Sequence, residues 1–463
     1  MAHEPASLTD SKVDPPLSEA QINADIMRPL VHTSRRYYAL VTLLALVIAW
    51  GGAVFVYEQL NGPGLLGINR PVQWGVFIAT FVFWIGLSHS GTLISAILRL
   101  SQAEWRRAIT RGAEAMTIFT VMVGALFPII HLGRAWRFYF IIPFPDGRGL
   151  WPNFRSPLVW DFMAIMTYLT GSILYFYLPL IPDLALLRDK SSGWRRGVYS
   201  VLALGWQGTD KQWRHLHRAL GMLMVLILPV AVSVHSIVSW DFAMSVVPVW
   251  HSTIFAPYFV AGAIYSGLAL VVTIMFLLRK AFNLGQYLTP KHFDNLGKML
   301  FMMSIIWFYF WFADALTTWY GREPAEFEIL RQTVLGPYAP IWAAMILFNF
   351  ILPFFALMWR QVRTSAAMFV IAILINVGMY AERFLIVVPS LAHGRFPFVW
   401  SDYAPTWVEI SIIAASFAGF TLLYLLFAKF LPVVAIWEVK EGELLKGTRE
   451  IAGVKLHTIT RTE

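Results

Sequence analysis

Ten long apolar runs divide this chain, and short polar segments that hold most of its charges separate them. Each run is continuous, without the alternation of a barrel strand, and has close to the 20 residues with which a helix crosses roughly 30 Å of hydrocarbon. Only helices and closed barrels satisfy backbone groups in lipid, so the pattern predicts an all-α, polytopic membrane protein. The predicted transmembrane helices lie near residues 37–57, 74–98, 115–132, 158–182, 216–237, 254–278, 299–316, 338–359, 366–388 and 408–435.

The Lys and Arg residues favour one side of this predicted bundle. Of the 36, 27 lie in or next to the two termini and the even-numbered gaps between helices, and only nine lie in or next to the odd-numbered gaps. The positive-inside rule places the richer side in the cytoplasm. We therefore expect both termini to be cytoplasmic and the odd-numbered helices to run outward.

The polar ends of the chain suggest three regions. Residues 1–36 are predicted to be a cytoplasmic N-terminal arm, because they lack the pattern of a signal peptide. Residues 37–435 form the membrane domain, and residues 436–463 are predicted to be a cytoplasmic C-terminal tail. The fourth gap, about 183–215, mixes basic and aromatic residues, which favours a helix in the membrane interface. Contact with another protein of a complex is the alternative for that gap.

Composition excludes several classes of protein. The chain is 58% hydrophobic and 14% charged, whereas soluble domains are about 25% charged. A basic face beside anionic lipid accounts for the net charge of +9 without nucleic acid. Cysteine is absent, so the chain cannot hold a thiolate-bound iron-sulfur cluster, a covalent c-type haem or a disulfide. Any redox chemistry needs a non-thiolate or diffusible cofactor.

Eight ionisable residues are predicted to meet at one depth near the outer ends of the helices. Such residues are functional candidates by default, because charges inside a bilayer are costly. Asp161 could instead form a structural ion pair with Arg134 or Arg383, and His235 could be an interfacial histidine, as could His251. The eight are His131, Asp161, His235, Asp241, His251, Asp314, Glu382 and Arg383. Glu58, Glu409 and Asp402, also at outer ends, are expected to be solvated.

The chemistry that suits such a set is quinol oxidation. A quinol has two ionisable oxygens on opposite sides of an apolar ring, so it needs a proton acceptor near each and a slot open to lipid. A His and an Asp on neighbouring helices meet both needs. The tripeptide Trp-Asp-Phe at residues 160–162 recurs at 240–242, a weak sign of a duplicated four-helix unit.

Three stretches resemble a known family. They are GINRPVQWGVFIATFVFWIGLSHSGTLISAILR at 67–99, FPIIHLGR at 127–134 and GLWPNFRSPLVWDF at 149–162. They are similar to the NrfD-like, or polysulfide reductase, family of integral membrane quinone-reacting proteins, and most of all to the member of that family found in bacterial alternative complex III. The likeness runs from about 37 to 435.

The resemblance implies a fold, a substrate and partners. It implies two four-helix bundles with two peripheral helices, in a bacterial inner (plasma) membrane. It implies menaquinol as the substrate near the outer face, with no haem, iron-sulfur cluster or metal bound by this chain. Electrons would pass to an iron-sulfur subunit of a complex that also holds c-type cytochrome subunits and a second NrfD-like membrane subunit.

The resemblance also assigns site residues. The family's quinol-site His and Asp correspond to His131 and Asp161, and Asp241 and Arg383 correspond less closely to further acidic and basic positions. Asp241 and Glu382 are then candidates for proton release.

Polar groups elsewhere in the helices leave open whether protons also cross the protein. Asp314 and His89 are candidates for proton transfer, with His89 placed in the inner half of its helix. Two other classes of function remain possible from the sequence, a haem b-binding membrane anchor and a secondary transporter.

Overall fold

The computed structural model describes residues 17–142, 156–446, 448–451 and 454–457. Within them, ten helical segments are long and apolar enough to span a membrane, which confirms the predicted number and fold class. The segments, numbered with all helices in chain order, are α2 (Arg35–Asn61), α3 (Val76–Leu100), α4 with α5 (Thr110–Gly124 and Leu126–His131), α6 with α7 (Pro157–Tyr177 and Ile181–Lys190), α9 (Asp210–Ala243), α10 (Phe255–Ala281), α11 (Pro290–Gly321), α13 with α14 (Ala339–Ile346 and Leu352–Leu357), α15 (Ser365–Ala392) and α16 (Trp407–Phe430).

Shorter elements connect or flank these helices. A π-helical turn at Leu347–Ile351 joins α13 to α14. The remaining elements are α1 (Glu19–Val31), α8 (Gly193–Leu202), α12 (Pro324–Val334), α17 (Ile436–Lys446) and the antiparallel strands β1 (Thr448–Ile451) and β2 (Val454–His457).

Several helices extend well beyond their apolar runs. The fifth span has 34 residues because α9 begins at a capping box, in which Thr209 and Gln212 satisfy each other's backbone groups. Its first turns therefore carry basic residues such as Lys211 and Arg214, which the hydropathy pattern places in a loop. The helix also continues past residue 237 to Ala243, and this moves His235 away from the helix end.

The helix α3 lies at the centre of the molecule and is buried along almost its whole length. It packs against α4, α9, α10 and α15. Small residues allow the close approach: a Cβ on Gly91 would meet the carbonyl oxygen of Ala113, and one on Gly267 would meet Ser90. A polar residue on α3, such as His89, is therefore held in the interior.

The remaining contacts arrange the other helices around α3. The helices α3, α4, α6 and α9 contact one another in a ring, and α10, α11, α13 with α14, and α15 form a second group. The helix α2 packs chiefly on α16, outside both groups.

Both ends of the described chain pack against the membrane helices. Ile22, Ile26 and Leu30 of α1 are buried, and α1 contacts α16 and α17. Ile436 and Glu438 of α17 are also buried. The predicted arm and tail thus each contain a helix that belongs to the folded body.

Candidate functional site

Two aspartates meet at one end of the bundle, near the start of α6 and the end of α9. The Asp161 carboxyl is the neighbouring charge that acts on Asp241, and the rings of Trp160 and Trp240 are 6.4 Å apart in an edge-to-face arrangement. The repeated tripeptide is therefore a pair in space. Oδ1 of each aspartate is buried without a hydrogen-bond partner among the described residues. Both carboxyls can accept a proton or hydrogen bond from a ligand.

His131 ends α5, which continues α4 toward the same end of the molecule. The helix α6 packs against α4, so His131 and Asp161 belong to neighbouring helical segments. The His131 Nδ1 atom is buried and lacks a hydrogen-bond partner within the described ranges, and no hydrogen bond or ion pair there joins it to Asp161. Residues 149–155 of the quoted motif lie outside the described residues.

A buried ion pair lies deeper in the bundle, on α15. Arg383 Nη1 is 3.0 Å from Glu382 Oε2, and the two side chains are 2% and 1% exposed. Trp307 Nε1 donates a hydrogen bond of 2.7 Å to Glu382 Oε1. Neither Nη atom of Arg383 has a hydrogen-bond partner in the described part of the chain. A buried guanidinium with unused donors is costly unless water or a ligand satisfies it.

Two histidines extend this polar region from α3 and α9. The rings of His89 and His235 are 4.6 Å apart, and Tyr168 stacks on His89 with the same centroid distance. His89 Nδ1 lies 2.6 Å from the Ile85 carbonyl oxygen. Because a carbonyl only accepts, this contact assigns a proton to Nδ1 and leaves Nε2 of a neutral ring as an acceptor. That Nε2 atom has no partner among the described residues.

Glycines leave the space in which these groups meet. A Cβ on Gly262 would lie 2.7 Å from Arg383 Nη2, and one on Gly86 would lie 3.9 Å from both that atom and His235 Cε1. Gly86 thus faces the guanidinium and the imidazole together. We refer to His89, His235, Glu382 and Arg383 as the central cluster.

A cavity of about 90 Å³ adjoins the central cluster. Glu382, Asp314 and Thr318 line it, together with the rings of five aromatic side chains. Ser252 Oγ donates a hydrogen bond of 3.0 Å to Asp314 Oδ1. The cavity has room for several water molecules and polar groups to bind them. It therefore connects two of the predicted proton-transfer residues.

Two carboxylates that were not predicted as site residues lie beside the other end of α3: Glu114 of α4 and Glu438 of α17. Ser95 Oγ donates to Glu114 Oε1, and Arg99 and Arg106 both pair with Glu438. Burial alone would raise the pKa of the Glu438 carboxyl, but the two guanidiniums outweigh this and lower its pKa to about 2. Glu114 lies one residue before the predicted third span. A carboxylate at the start of an apolar run is the sequence feature that could have identified it as a candidate.

The prediction that eight ionisable residues share one depth is wrong. Asp161 and Asp241 lie within five residues of their helix ends, whereas Arg383 lies nine residues, or about 14 Å, from the end of α15. His235 is eight residues, about 12 Å, from the end of α9. The longer helices place these groups deeper, so the candidates occupy two levels.

Two alternative interpretations also need correction: His235 as an interfacial histidine, and Asp161 as part of a structural ion pair. His235 is 1% exposed and is an interior residue, whereas His251 is exposed. Asp161 forms no ion pair with any described residue, and the guanidinium of Arg383 lies beside Glu382 instead. His89 lies close to the middle of α3, thirteen residues after Val76 and eleven before Leu100.

Two glutamates expected in solvent are buried. Glu58 is 1% exposed and accepts a hydrogen bond from Gln59. Glu409 is fully buried and accepts hydrogen bonds from the Tyr403 hydroxyl and the Thr406 amide. Glu409 thereby caps the start of α16, whereas Oε1 of Glu58 has no hydrogen-bond partner among the described residues.

Sequence comparisons find relatives among subunits of reductases and oxidoreductases. One relative is a putative dimethyl sulfoxide reductase membrane subunit of Halobacterium salinarum, 25% identical over 84% of this chain and 90% of its own length. A selenate reductase subunit of Mesobacillus selenatarsenatis is 21% identical over 86% of this chain and 94% of its length. The Hdr-like menaquinol oxidoreductase integral membrane subunit of Archaeoglobus fulgidus is 21% identical over 77% and 80%.

A family match extends over most of the helices described above. Residues 64–393 match the family described as polysulphide reductase, NrfD, from the segment before α3 to the end of α15. The matched range contains both aspartates and the whole central cluster. The chain is therefore a multi-pass membrane protein that belongs to the polysulphide reductase NrfD family.

Proposed function

We propose that this chain is the menaquinol-oxidising membrane subunit of an electron-transfer complex of the alternative complex III type. The relative from Archaeoglobus fulgidus, named for menaquinol, supports the substrate class. The observation that carries the proposal is the pair of Asp161 and Asp241, whose buried Oδ1 atoms have no partner among the described residues. Leu158, Met163 and Met166 of α6 are exposed nearby, so a lipophilic ring has an apolar approach.

The proposed reaction converts quinol to quinone with the release of two electrons and two protons. His131 and Asp161 accept hydrogen bonds from the two hydroxyls and take up the protons as the electrons leave. A neutral His131 with one free ring nitrogen, and an ionised Asp161, are the states that can do so. The chain has no cysteine, so the electrons pass to an iron-sulfur subunit of the same complex.

Two routes are available for the protons at the outer side. Asp241 lies beside Asp161 and is partly exposed, so it can receive a proton and pass it to water. Glu382 and Asp314 line a common cavity, which gives the central cluster its own exit. Both routes lead outward when the side richer in Lys and Arg is cytoplasmic.

A proton path through the protein is a further part of the proposal. The Ser95 hydroxyl donates a hydrogen bond to the carboxylate of Glu114. The hydroxyls of Tyr168 and Thr117 both donate to the backbone carbonyl of Ser88, next to His89 in the chain. Polar groups therefore follow α3 from its cytoplasmic part to the central cluster. Water between them would complete a chain of hydrogen bonds.

The proposed setting is a complex in a bacterial inner membrane, with both termini cytoplasmic. The relatives are named as subunits of reductases or oxidoreductases, which supports the presence of partner chains. We assign to the complex an iron-sulfur subunit, c-type cytochrome subunits and a second NrfD-like membrane subunit. The extra-membrane chains that receive electrons would dock at the end where Asp161 and Asp241 lie.

The test is quinol oxidation by the intact complex with Asp161→Asn or His131→Ala. We expect each to lower kcat/KM by about 100-fold or more, because each removes a proton acceptor. The matched controls are Asp402→Asn and His215→Ala, which change exposed residues of the same types. Wild-type turnover and quinol affinity in both site variants would overturn the assignment.

One observation, the pair of His89 and His235, favours a second candidate function, that of a haem b-binding membrane anchor. Two facing histidines on adjacent helices are the ligands such a haem needs. Here the rings already contact each other, and Tyr168 covers His89, so the helices would have to separate to admit a porphyrin. A reduced-minus-oxidised absorption spectrum of the purified full chain distinguishes the two functions: haem bands that disappear in His235→Leu favour the anchor.

A further inference from the structure

A pocket of about 520 Å³ opens at the end of the molecule that is rich in Lys and Arg. Its walls come from the joint between α1 and α2, from the last turn of α10 and from the last turn of α16. The described residues that line it include Arg28, His32, Lys280 and Lys429, and they include no Asp or Glu. This pocket plays no part in the proposed quinol chemistry, since it lies at the opposite end of α10 and α16 from the aspartate pair.

The positive groups of the pocket are available to a ligand. Arg28 and Lys280 are exposed, and neither forms an ion pair with any described residue. Lys429 Nζ donates to the carbonyl oxygens of Pro29 and His32 at 3.0 and 3.3 Å, so one of its three protons remains free. Asp25, the acidic residue nearest in the sequence, instead accepts a hydrogen bond from Tyr287. Among the described residues, the lining of the pocket therefore has an excess of positive charge.

The start of α2 adds to the attraction for an anion. Ser34, the N-cap of this 27-residue helix, and Tyr37 in its first turn both line the pocket. The positive end of the helix dipole is thus directed toward the same space as the basic side chains. Oxygens of a phosphate could be bound by both.

The pocket is basic at its rim, and the surface beyond it is apolar, which is the order of groups in a phospholipid. Lys280 and Lys429 mark the ends of their helices, and Leu277 and Leu425 lie one turn deeper on the same helices. Leu277 is exposed, as are Leu40 and Leu43 on α2, so apolar surface continues from the pocket into the hydrocarbon region. A free phosphate would use only the basic rim, whereas a lipid would use both parts.

We propose that this pocket binds the phosphodiester headgroup of an anionic phospholipid of the cytoplasmic leaflet. The phosphate contacts Arg28 and Lys280 together with the free donor of Lys429, and the acyl chains lie along the exposed leucines. The lipid thereby adds a link among α1, α10 and α16, beside the hydrogen bonds that Lys429 makes to its two carbonyl partners.

The experiment measures lipid retention by the purified full chain after delipidation in detergent and titration with phosphatidylglycerol. In native mass spectra, Arg28→Gln with Lys280→Gln should weaken binding about 25-fold, at about fivefold for each charge. Both side chains are exposed and unpaired among the described residues, so the variant should fold, and its unfolding temperature without lipid checks this. Lys291→Gln, which removes an exposed charge outside the pocket, is the matched control.

Two further measurements distinguish a phospholipid headgroup from free phosphate as the ligand. Phosphatidylcholine should bind at least about tenfold more weakly than phosphatidylglycerol, because its headgroup has no net charge to attract the basic rim. Inorganic phosphate should neither compete nor raise the unfolding temperature. Unchanged phosphatidylglycerol binding in the double variant overturns the site. Equal stabilisation by inorganic phosphate overturns the assignment to a lipid.

Discussion

The imidazole rings of His89 and His235 lie 4.6 Å apart where α3 and α9 face each other in the interior. Arg383 approaches the same place from α15, and Gly86 provides the space between it and His235. Three helices thus meet through titratable groups with few hydrogen-bond partners among the described residues. In the proton path proposed above, this meeting point lies between the carboxylates at the two ends of the bundle.

We predict that His89→Leu uncouples proton movement from electron transfer. The substitution removes the Nε2 acceptor of His89 from the central cluster but leaves Asp161 and His131 in place. Quinol oxidation by the complex should therefore continue at a similar rate, and the number of protons moved per electron in vesicles should fall.

His215→Leu is the matched control, because His215 is an exposed histidine at the other end of α9. An unchanged proton-to-electron ratio in His89→Leu removes this residue from any proton path. A loss of quinol oxidation itself would instead assign His89 to the quinol site.

The two aspartates at the ends of α6 and α9 should act as one unit. We predict that Asp161→Asn and Asp241→Asn have non-additive effects on kcat/KM, with a coupling free energy of about 1 kcal/mol or more. The reason is that the charge of one carboxylate acts on the other. Once the first aspartate has been replaced, replacing the second should therefore have a smaller effect on kcat/KM. Steady-state kinetics of the two single variants and the double variant measure this coupling, and strict additivity would mean that the aspartates act separately.

Part of this arrangement could be predicted from sequence. The number of helices follows from runs of apolar residues, which is a local property that hydropathy captures. The repeated Trp-Asp-Phe tripeptide indicated a relation between Asp161 and Asp241, although only the fold shows that Trp160 and Trp240 meet ring to ring.

The central cluster could not be predicted, because it depends on where each helix ends. His235 looks interfacial if α9 stops near residue 237, but the helix continues to Ala243. The pairing of Arg99 with Glu438 joins positions 339 residues apart, and nothing local in either segment indicates it. Basic residues near a helix end satisfy the positive-inside rule whether or not they have a partner, so the rule gives no information about pairing.

Gly262 offers a way to move Arg383 without changing its charge. A Cβ at this position would lie 2.7 Å from Arg383 Nη2, so Gly262→Ala should displace the guanidinium from His235. The obstructing atom ends a flexible side chain, so the protein should still assemble. We predict a lower proton-to-electron ratio with little change in the unfolding temperature.

The control for this glycine is Gly52→Ala on α2. A Cβ there would meet no atom within 4 Å, so the same chemical change should have no effect on proton movement. A normal ratio in Gly262→Ala would show that the guanidinium position does not matter.

Glu438 should stabilise the packing of α17 against the ends of the membrane helices that are rich in Lys and Arg. Its side chain is 1% exposed and pairs with Arg99 and Arg106. Glu438→Gln leaves two buried guanidiniums without their counter-charge, which should lower the free energy of unfolding by about 3 kcal/mol. Denaturant unfolding of the purified chain measures this, and Glu441→Gln, in which the lost carboxylate is 42% exposed, should cost less than about 1 kcal/mol.

The same ion pairs predict how stability depends on pH. The pKa of Glu438 is lowered to about 2 from an ordinary value near 4.5, so this group stabilises the fold fully above that ordinary value. Its contribution, about 3 kcal/mol from the size of the shift, is lost only as the pH falls toward 2. The difference in unfolding free energy between the wild type and Glu438→Gln should therefore shrink as the pH falls from about 4.5 toward about 2. A difference that does not shrink over that range would mean that Glu438 is not held ionised by the two arginines.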